Sequence, residues 1–107
     1  MILITGAGGF LGRSVTRQLS DQAIPLPGRH QYDLRLPSAM HDALADHRMV
    51  TTVIHLAYPG TNGIGTMITT PADLVQQMLQ IDLNVIHACA RMRVERLVRT
   101  NRSCWPR

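Results

Sequence analysis

The chain has 107 residues, room for one domain and no more. Apolar residues make up 45% and charged residues 17%, which excludes a disordered chain, and no apolar run approaches the length of a membrane span. The net charge of +4 comes from eleven basic residues, all arginine, and six of them (Arg91, Arg93, Arg96, Arg99, Arg102 and Arg107) lie in residues 91–107. Such a tail could meet nucleic acid, but only Trp105 could stack on a base and no nucleic-acid motif is present. A solvated helix end and edge strand is the preferred reading, with no nucleic-acid partner.

Met1-Ile2-Leu3-Ile4 is a short apolar, β-prone run, and a strand is expected over residues 1–5. Thr5-Gly6-Ala7-Gly8-Gly9-Phe10-Leu11-Gly12 follows at once, and then a helix over 10–20. Strand, glycine-rich turn and helix form the context in which glycine spacing has meaning. Gly6 can take the tight turn at positive φ. Gly9 lets backbone N–H groups come close to a pyrophosphate, and Gly12 lets the helix pack closely on the strand. The anion would sit on the unpaired N–H groups at the helix N-terminus. The competing reading is a tight βα turn without a ligand. It is disfavoured because three glycines weaken local structure with no other benefit. Leu11, Val15 and Leu19, with Phe10 and Ile24 beside them, define the apolar stripe of this helix. Because the chain opens on this strand, no signal or transit peptide is expected, and the location is expected to be cytoplasmic.

Ala23 to Leu26 is expected as a second strand, made short or irregular by Pro25 and Pro27. A brief extended piece over Gln31 to Leu34 follows. Pro37 suits the first position of a helix running to about His47, with Met40 and Leu44 inward. Val50 to Leu56 reads as a buried strand, and Tyr58 to Thr70 as a Gly- and Thr-rich loop. Pro71, capped by Thr70, opens a long helix to about Met92. Leu74, Met78, Ile81, Val85, Cys89 and Met92 form its buried stripe. Arg96 to Arg99 is a last strand. The order predicts an α/β fold: a Rossmann-type doubly wound parallel sheet with helices on both faces. Four principal strands amount to little more than half of a full dinucleotide fold.

In such sheets the end of the second strand meets the adenosine ribose. An acid there favours NAD, and an arginine there pairs with the 2′-phosphate of NADP. Asp33 lies about twenty residues past the glycines, the usual spacing for the acid. However, the second strand must end near Leu26, which puts Arg29 at the ribose. NADP is therefore the expected cofactor and NAD the alternative; an exposed loop arginine is the bland reading of Arg29. Cys89 and Cys104 are the only cysteines, with Cys89 on an apolar helix face, and no disulfide is expected. His30, His41, His47, His55 and His87 show no ligand spacing, so no metal is expected.

The stretch T-G-x-x-G-F-L-G resembles the cofactor loop of the extended short-chain dehydrogenase/reductases, the NAD(P)-dependent epimerase/dehydratase family. The resemblance implies that the N–H groups of Phe10 and Leu11 face the pyrophosphate. It also implies that Asp33-Leu34 contacts the adenine edge. His55-Leu56-Ala57, with Tyr58 next, is similar to the family's H-L-A element, whose backbone lies against the cofactor. Asn62-Gly63-Ile64-Gly65, Pro71-Ala72-Asp73 and Asn84-Val85-Ile86-His87-Ala88 narrow the likeness to GDP-fucose-synthase-type nucleotide-sugar epimerase/reductases. These motifs run over nearly the whole chain.

The pattern breaks at Asn101-Arg102-Ser103-Cys104-Trp105-Pro106. Aligned on the family's G-S-S-C segment, Ser103 and Cys104 are the catalytic remnants that the resemblance implies, and Arg102 replaces a serine. The family's Y-x-x-x-K pair has no counterpart: Tyr32 and Tyr58 lie in no such motif, and the chain has no lysine. The expectation is a partial NAD(P)-binding domain over 1–107, with the C-terminal substrate domain absent and no activity alone. The complete enzyme would take a nucleotide sugar, and a homodimer is compatible. The competing classes are a non-catalytic NADP-binding module or sensor, and an inert truncated product.

Overall fold

A computed structural model describes residues 1–28, 31–57 and 71–99. Within them the elements are β1 (Ile2–Thr5), α1 (Phe10–Leu19), a 3-10 turn (Ser20–Gln22), β2 (Ala23–Pro25), α2 (Ala39–Asp46), β3 (Thr52–His55), α3 (Pro71–Arg91) and β4 (Arg96–Arg99). The strands pair in parallel in the order β2-β1-β3-β4. This is the α/β sheet with parallel strands that the sequence predicts.

The chain crosses to one side from β1 to β2, then to the other side from β2 to β3 and from β3 to β4. Right-handed crossovers then put α1 on one face and α2 and α3 together on the other. The register confirms the division. Leu3 lies beside Ile24 and Val53, and Val53 lies beside Leu97. This row packs with Met40, Ala43 and Leu44 of α2 and with Ile81, Val85, Ala88 and Cys89 of α3. By strand alternation Ile4, Ile54 and Val98 form the row facing the other way, toward α1.

Several expected elements need correction. Gln31 to Leu34 is not extended; the chain turns there. Pro25 and Pro27 have no N–H to extend a ladder, so pairing beyond β2 ends with Leu26 N–H donating to Ile4 O at 2.9 Å. The Leu34 carbonyl instead accepts from Asn84 Nδ2 of α3 at 2.9 Å. Pro37 lies in the preceding turn, and α2 begins at Ala39. The buried strand is shorter than expected, because Val50 N–H closes a turn on His47 O at 3.1 Å.

The apolar stripe of α1 is only half covered. Phe10 is 96% exposed and Leu11 49%, and Gly12 is the helix's one buried residue. Met92 is also outside the core, 41% exposed, because α3 stops at Arg91. Val94 N–H donates back to Cys89 O at 3.0 Å and Arg93 N–H to Ala90 O at 3.3 Å, with Arg93 at φ 58°. These two bonds make a Schellman turn with arginine where glycine is usual. The Thr70 cap and the Tyr58–Thr70 loop lie outside the described residues.

Candidate functional site

The carboxyl ends of β1, β2 and β3 open into a cleft of about 530 Å³. Parallel sheets bind ligands at this end. Gly6 to Gly9 form one wall, and Pro25 to Gly28 and Tyr32 to Arg35 form another; Ala57 and Ile81 also line it.

The glycine turn is built by close packing. Gly6 sits at φ 69°, and a Cβ there would lie 2.6 Å from the Leu56 carbonyl carbon. A Cβ on Gly12 would overlap the Gly6 carbonyl oxygen and crowd Ala7. These two positions therefore need glycine for packing. A Cβ on Gly9 would meet only Gly6 O at 3.5 Å, and one on Gly8 nothing within 4 Å. Space lies over Gly8 and Gly9, beside the start of α1. Gly9 is the N-cap, no side chain caps the helix, and its first turn has no acid. The N–H groups of that turn thus have the arrangement that accepts an anion. Arg13 Nε donates to Gly8 O at 2.9 Å and ties the loop to the helix.

Beneath the cleft runs a buried polar chain. Thr5 Oγ1 accepts from the N–H groups of Leu56 and Ala57, each at 3.0 Å. With both lone pairs occupied, its hydroxyl donates to His55 Nδ1 at 2.7 Å. Nδ1 is therefore an acceptor, and the ring's hydrogen resides on Nε2, which donates to Asp82 Oδ1 at 2.8 Å. Arg99 Nη1 donates to Asp82 Oδ2 at 3.1 Å. His55 is fully buried and Asp82 nearly so. The chain clamps the Leu56–Ala57 backbone against Gly6, and a role for His55 in holding backbone explains its position without chemistry at its ring.

At the other wall, Asp33 and Arg35 form a two-pronged pair. Arg35 Nε donates to Oδ1 at 2.9 Å, Nη2 to Oδ2 at 2.7 Å, and the Arg35 backbone N–H to Oδ1 at 3.1 Å. The pairing raises the pKa of the Arg35 guanidinium above its ordinary value. Tyr32 Oη donates to Asp46 Oδ2 at 2.6 Å, and this bond to a carboxylate raises the phenol's pKa. Burial lifts the Cys89 thiol to about 11.

Of the residues singled out from sequence, Gly6, Gly9, Asp33, Leu34 and Ala57 line the cleft. Phe10, Leu11 and Gly12 stand behind it as the first turn of α1, and Leu56 is set back against Gly6. Arg29, Tyr58, Ser103 and Cys104 lie outside the described residues. Sequence reasoning missed Asp82, although it adjoins Ile81 inside a predicted apolar stripe, where a carboxylate needs a partner. It also missed Arg35, two residues from Asp33. Among the described residues no group of three or more His, Cys, Asp or Glu could hold a metal ion. No described helix is long and apolar enough to cross a membrane.

The sheet order, the glycine turn and the cleft together define a Rossmann-type α/β domain. Residues 2–105 match the model of the NAD dependent epimerase/dehydratase family, and the chain belongs to that family. It is 32% identical over 106 residues to GDP-L-fucose synthase of Escherichia coli (strain K12), covering 96% of this chain and 32% of the relative. The solved structure of DdhaC superposes with a TM-score of 0.79 at 27% identity, over 92% of this chain and 28% of that one. GDP-L-fucose synthetase from Naegleria fowleri bound to NADP gives 0.75 at 22% identity, over 92% and 30%. The chain spans about a third of the length of the relatives it matches.

Proposed function

We propose that this chain is the cofactor-binding part of an NADP-dependent nucleotide-sugar epimerase/reductase of the GDP-L-fucose synthase type. The observation that carries the reading is the glycine turn. Gly6 and Gly12 are packed too closely for any side chain, whereas Gly8 and Gly9 leave space at the uncapped start of α1. This is a cradle shaped for a pyrophosphate. The N–H groups of Phe10, Leu11 and Gly12 would hold the diphosphate. Leu34 and the Asp33–Arg35 wall would receive the adenosine, with Arg29 on the 2′-phosphate. Ala57, with Leu56 set back against Gly6, would bound the ribose side, and Tyr58 is assigned to the same side by the family resemblance. The bound nicotinamide would supply or accept hydride at a sugar carbonyl. NADP in the related Naegleria fowleri structure supports the cofactor, and the names of the relatives support a nucleotide sugar as substrate of the complete enzyme.

In this proposal residues 1–107 are a partial domain that binds dinucleotide in the cytoplasm but does not turn over. Ser103 and Cys104 are matched by resemblance to the family's catalytic segment, and residues 1–107 by themselves hold no Y-x-x-x-K pair to handle the proton. Leu79, Leu83 and Ile86 leave an exposed apolar stripe on α3, which favours a homodimer. Titration calorimetry with NADPH tests the binding. Gly9→Val should keep the circular-dichroism spectrum and weaken binding by ~10-fold or more, because its added bulk enters the ligand space. Equal affinities for the parent and the valine variant would contradict the reading.

A further inference from the structure

Thr5, His55 and Asp82 are the buried polar or charged side chains among the described residues, and the proposed function gives none of them a ligand contact. They come from β1, β3 and α3, and they meet at the carboxyl end of the sheet. Their hydrogen bonds all run in one direction. The Leu56 and Ala57 N–H groups donate to Thr5 Oγ1, Thr5 donates to His55 Nδ1, and His55 Nε2 donates to Asp82 Oδ1. The series ends at Asp82, because an ionised carboxylate accepts and cannot donate. Arg99, 46% exposed, donates to its other oxygen at 3.1 Å from the solvent side. Bonds aligned in this way polarise one another, so the carboxylate fixes the direction of the whole series.

Reversal would reach the cleft. With the ring hydrogen on Nδ1, Thr5 Oγ1 would have to accept a third hydrogen, and it has two lone pairs. It would have to release Leu56 or Ala57. That backbone is the surface on which Gly6 is seated: a Cβ on Gly6 would lie 2.6 Å from the Leu56 carbonyl carbon and 2.7 Å from Ala57 N. Gly6 begins the glycine turn, and both Gly6 and Ala57 line the cleft. We propose that Asp82 is a positioning residue for dinucleotide binding. By accepting from His55 it keeps the ring hydrogen on Nε2, and through Thr5 it holds the backbone against which the glycine turn is set. The proposal rests on the dinucleotide reading and deepens it. The role is distinct from stabilising the fold, because an apolar residue in place of a buried carboxylate need not lower stability. Such a residue supplies no acceptor, however, and the series loses its direction.

The test uses the full chain with Asp82→Leu, Asp82→Ala and Asp82→Asn. Ring-nitrogen NMR locates the His55 hydrogen, calorimetry measures NADP binding, and circular dichroism shows which variants are folded. In the parent the hydrogen should be on Nε2. Asp82→Asn keeps the shape and one acceptor oxygen. Arg99 can turn to water, so that oxygen serves His55. The hydrogen should stay on Nε2, with NADP affinity within ~3-fold of the parent. Asp82→Leu should lose the exclusive Nε2–H signature, shift the Leu56 and Ala57 amide resonances and weaken NADP by ~10-fold, about the worth of one hydrogen bond. Asp82→Ala should do the same and serves if the leucine variant does not fold. A hydrogen on Nδ1 in the parent would overturn the proposal whatever the variants do. So would NADP affinity within ~2-fold of the parent in the leucine or alanine variant, or an equal loss in Asp82→Asn. Each of these leaves dinucleotide binding standing. A parent chain that binds no NADP would overturn the dinucleotide reading, and this proposal with it.

Discussion

The two faces of the sheet use alternate residues of the same strands but are packed very differently. Under α2 and α3, Leu3 and Val53 are fully buried among helix side chains. On the α1 face, Ile4 is fully buried but Ile54 is only half-buried and Val98 is 51% exposed. The strands have similar sequence character on both sides, so apolar content alone does not decide burial. What differs is the number of helices that right-handed crossovers deliver to each face. Cohesion is concentrated on one side. On the other side, the start of α1 packs tightly on the glycine turn, where Gly12 rests on Gly6.

The largest contrast should come from paired truncations. Leu3→Ala should cost about 3 kcal/mol, because its cavity is enclosed by two helices. Val98→Ala should cost under ~0.5 kcal/mol, since solvent already touches that side chain. Urea denaturation measures both; similar costs would erase the distinction between the faces.

Thr5→Val sharpens the contrast at the polar edge of the closed face. Valine has the same shape but neither accepts from Leu56 and Ala57 nor donates to His55. We expect a loss of about 2 kcal/mol by urea denaturation, from buried groups deprived of a partner. A neutral result would mean that the Leu56–Ala57 backbone is held by other contacts.

Cys89 reports on the same closed face through pH. Its thiol is raised from an ordinary value near 9 to about 11 by burial. The folded chain therefore keeps a proton that the unfolded chain releases between those values. This contribution to stability is fully present below pH 9 and is lost as pH rises toward 11. Thermal melts of the parent should decline across that window more steeply than those of Cys89→Ala. Parallel curves would show that the thiol is hydrated.

The smallest effect concerns the link from α3 to β4. Arg93 occupies a left-handed position at φ 58° where glycine is unstrained. Arg93→Gly should stabilise the chain by up to ~1 kcal/mol, read as a higher midpoint in urea. A lower midpoint would show that the arginine side chain contributes more than the backbone strain costs.

The parts legible in the sequence were those governed by local rules. Met1 to Gly12 specifies strand, turn and helix start by residue type, and Gly6 and Gly12 pack as their spacing implies. The β4 bounds at Arg96 and Arg99 were also readable. What escaped were consequences of distant partners. Gln31 to Leu34 reads as extended, but Asn84, fifty residues on, takes the Leu34 carbonyl. His55 reads as an ordinary strand histidine until Asp82 and Thr5 are brought to its two nitrogens. The α1 stripe is amphipathic by spacing, but spacing cannot say whether a second helix will cover it.

On the proposed function, the glycine turn and the Asp33–Arg35 wall bind one dinucleotide between them. Backbone NMR of the isotopically labelled chain during an NADP titration tests it most directly. Saturable amide shifts are expected at Gly6 to Gly12, at Asp33 to Arg35 and at Ala57. The α2–α3 core around Ala43 and Val85 should stay unchanged. Shifts confined to the exposed stripe of α3, or none at millimolar NADP, would contradict it.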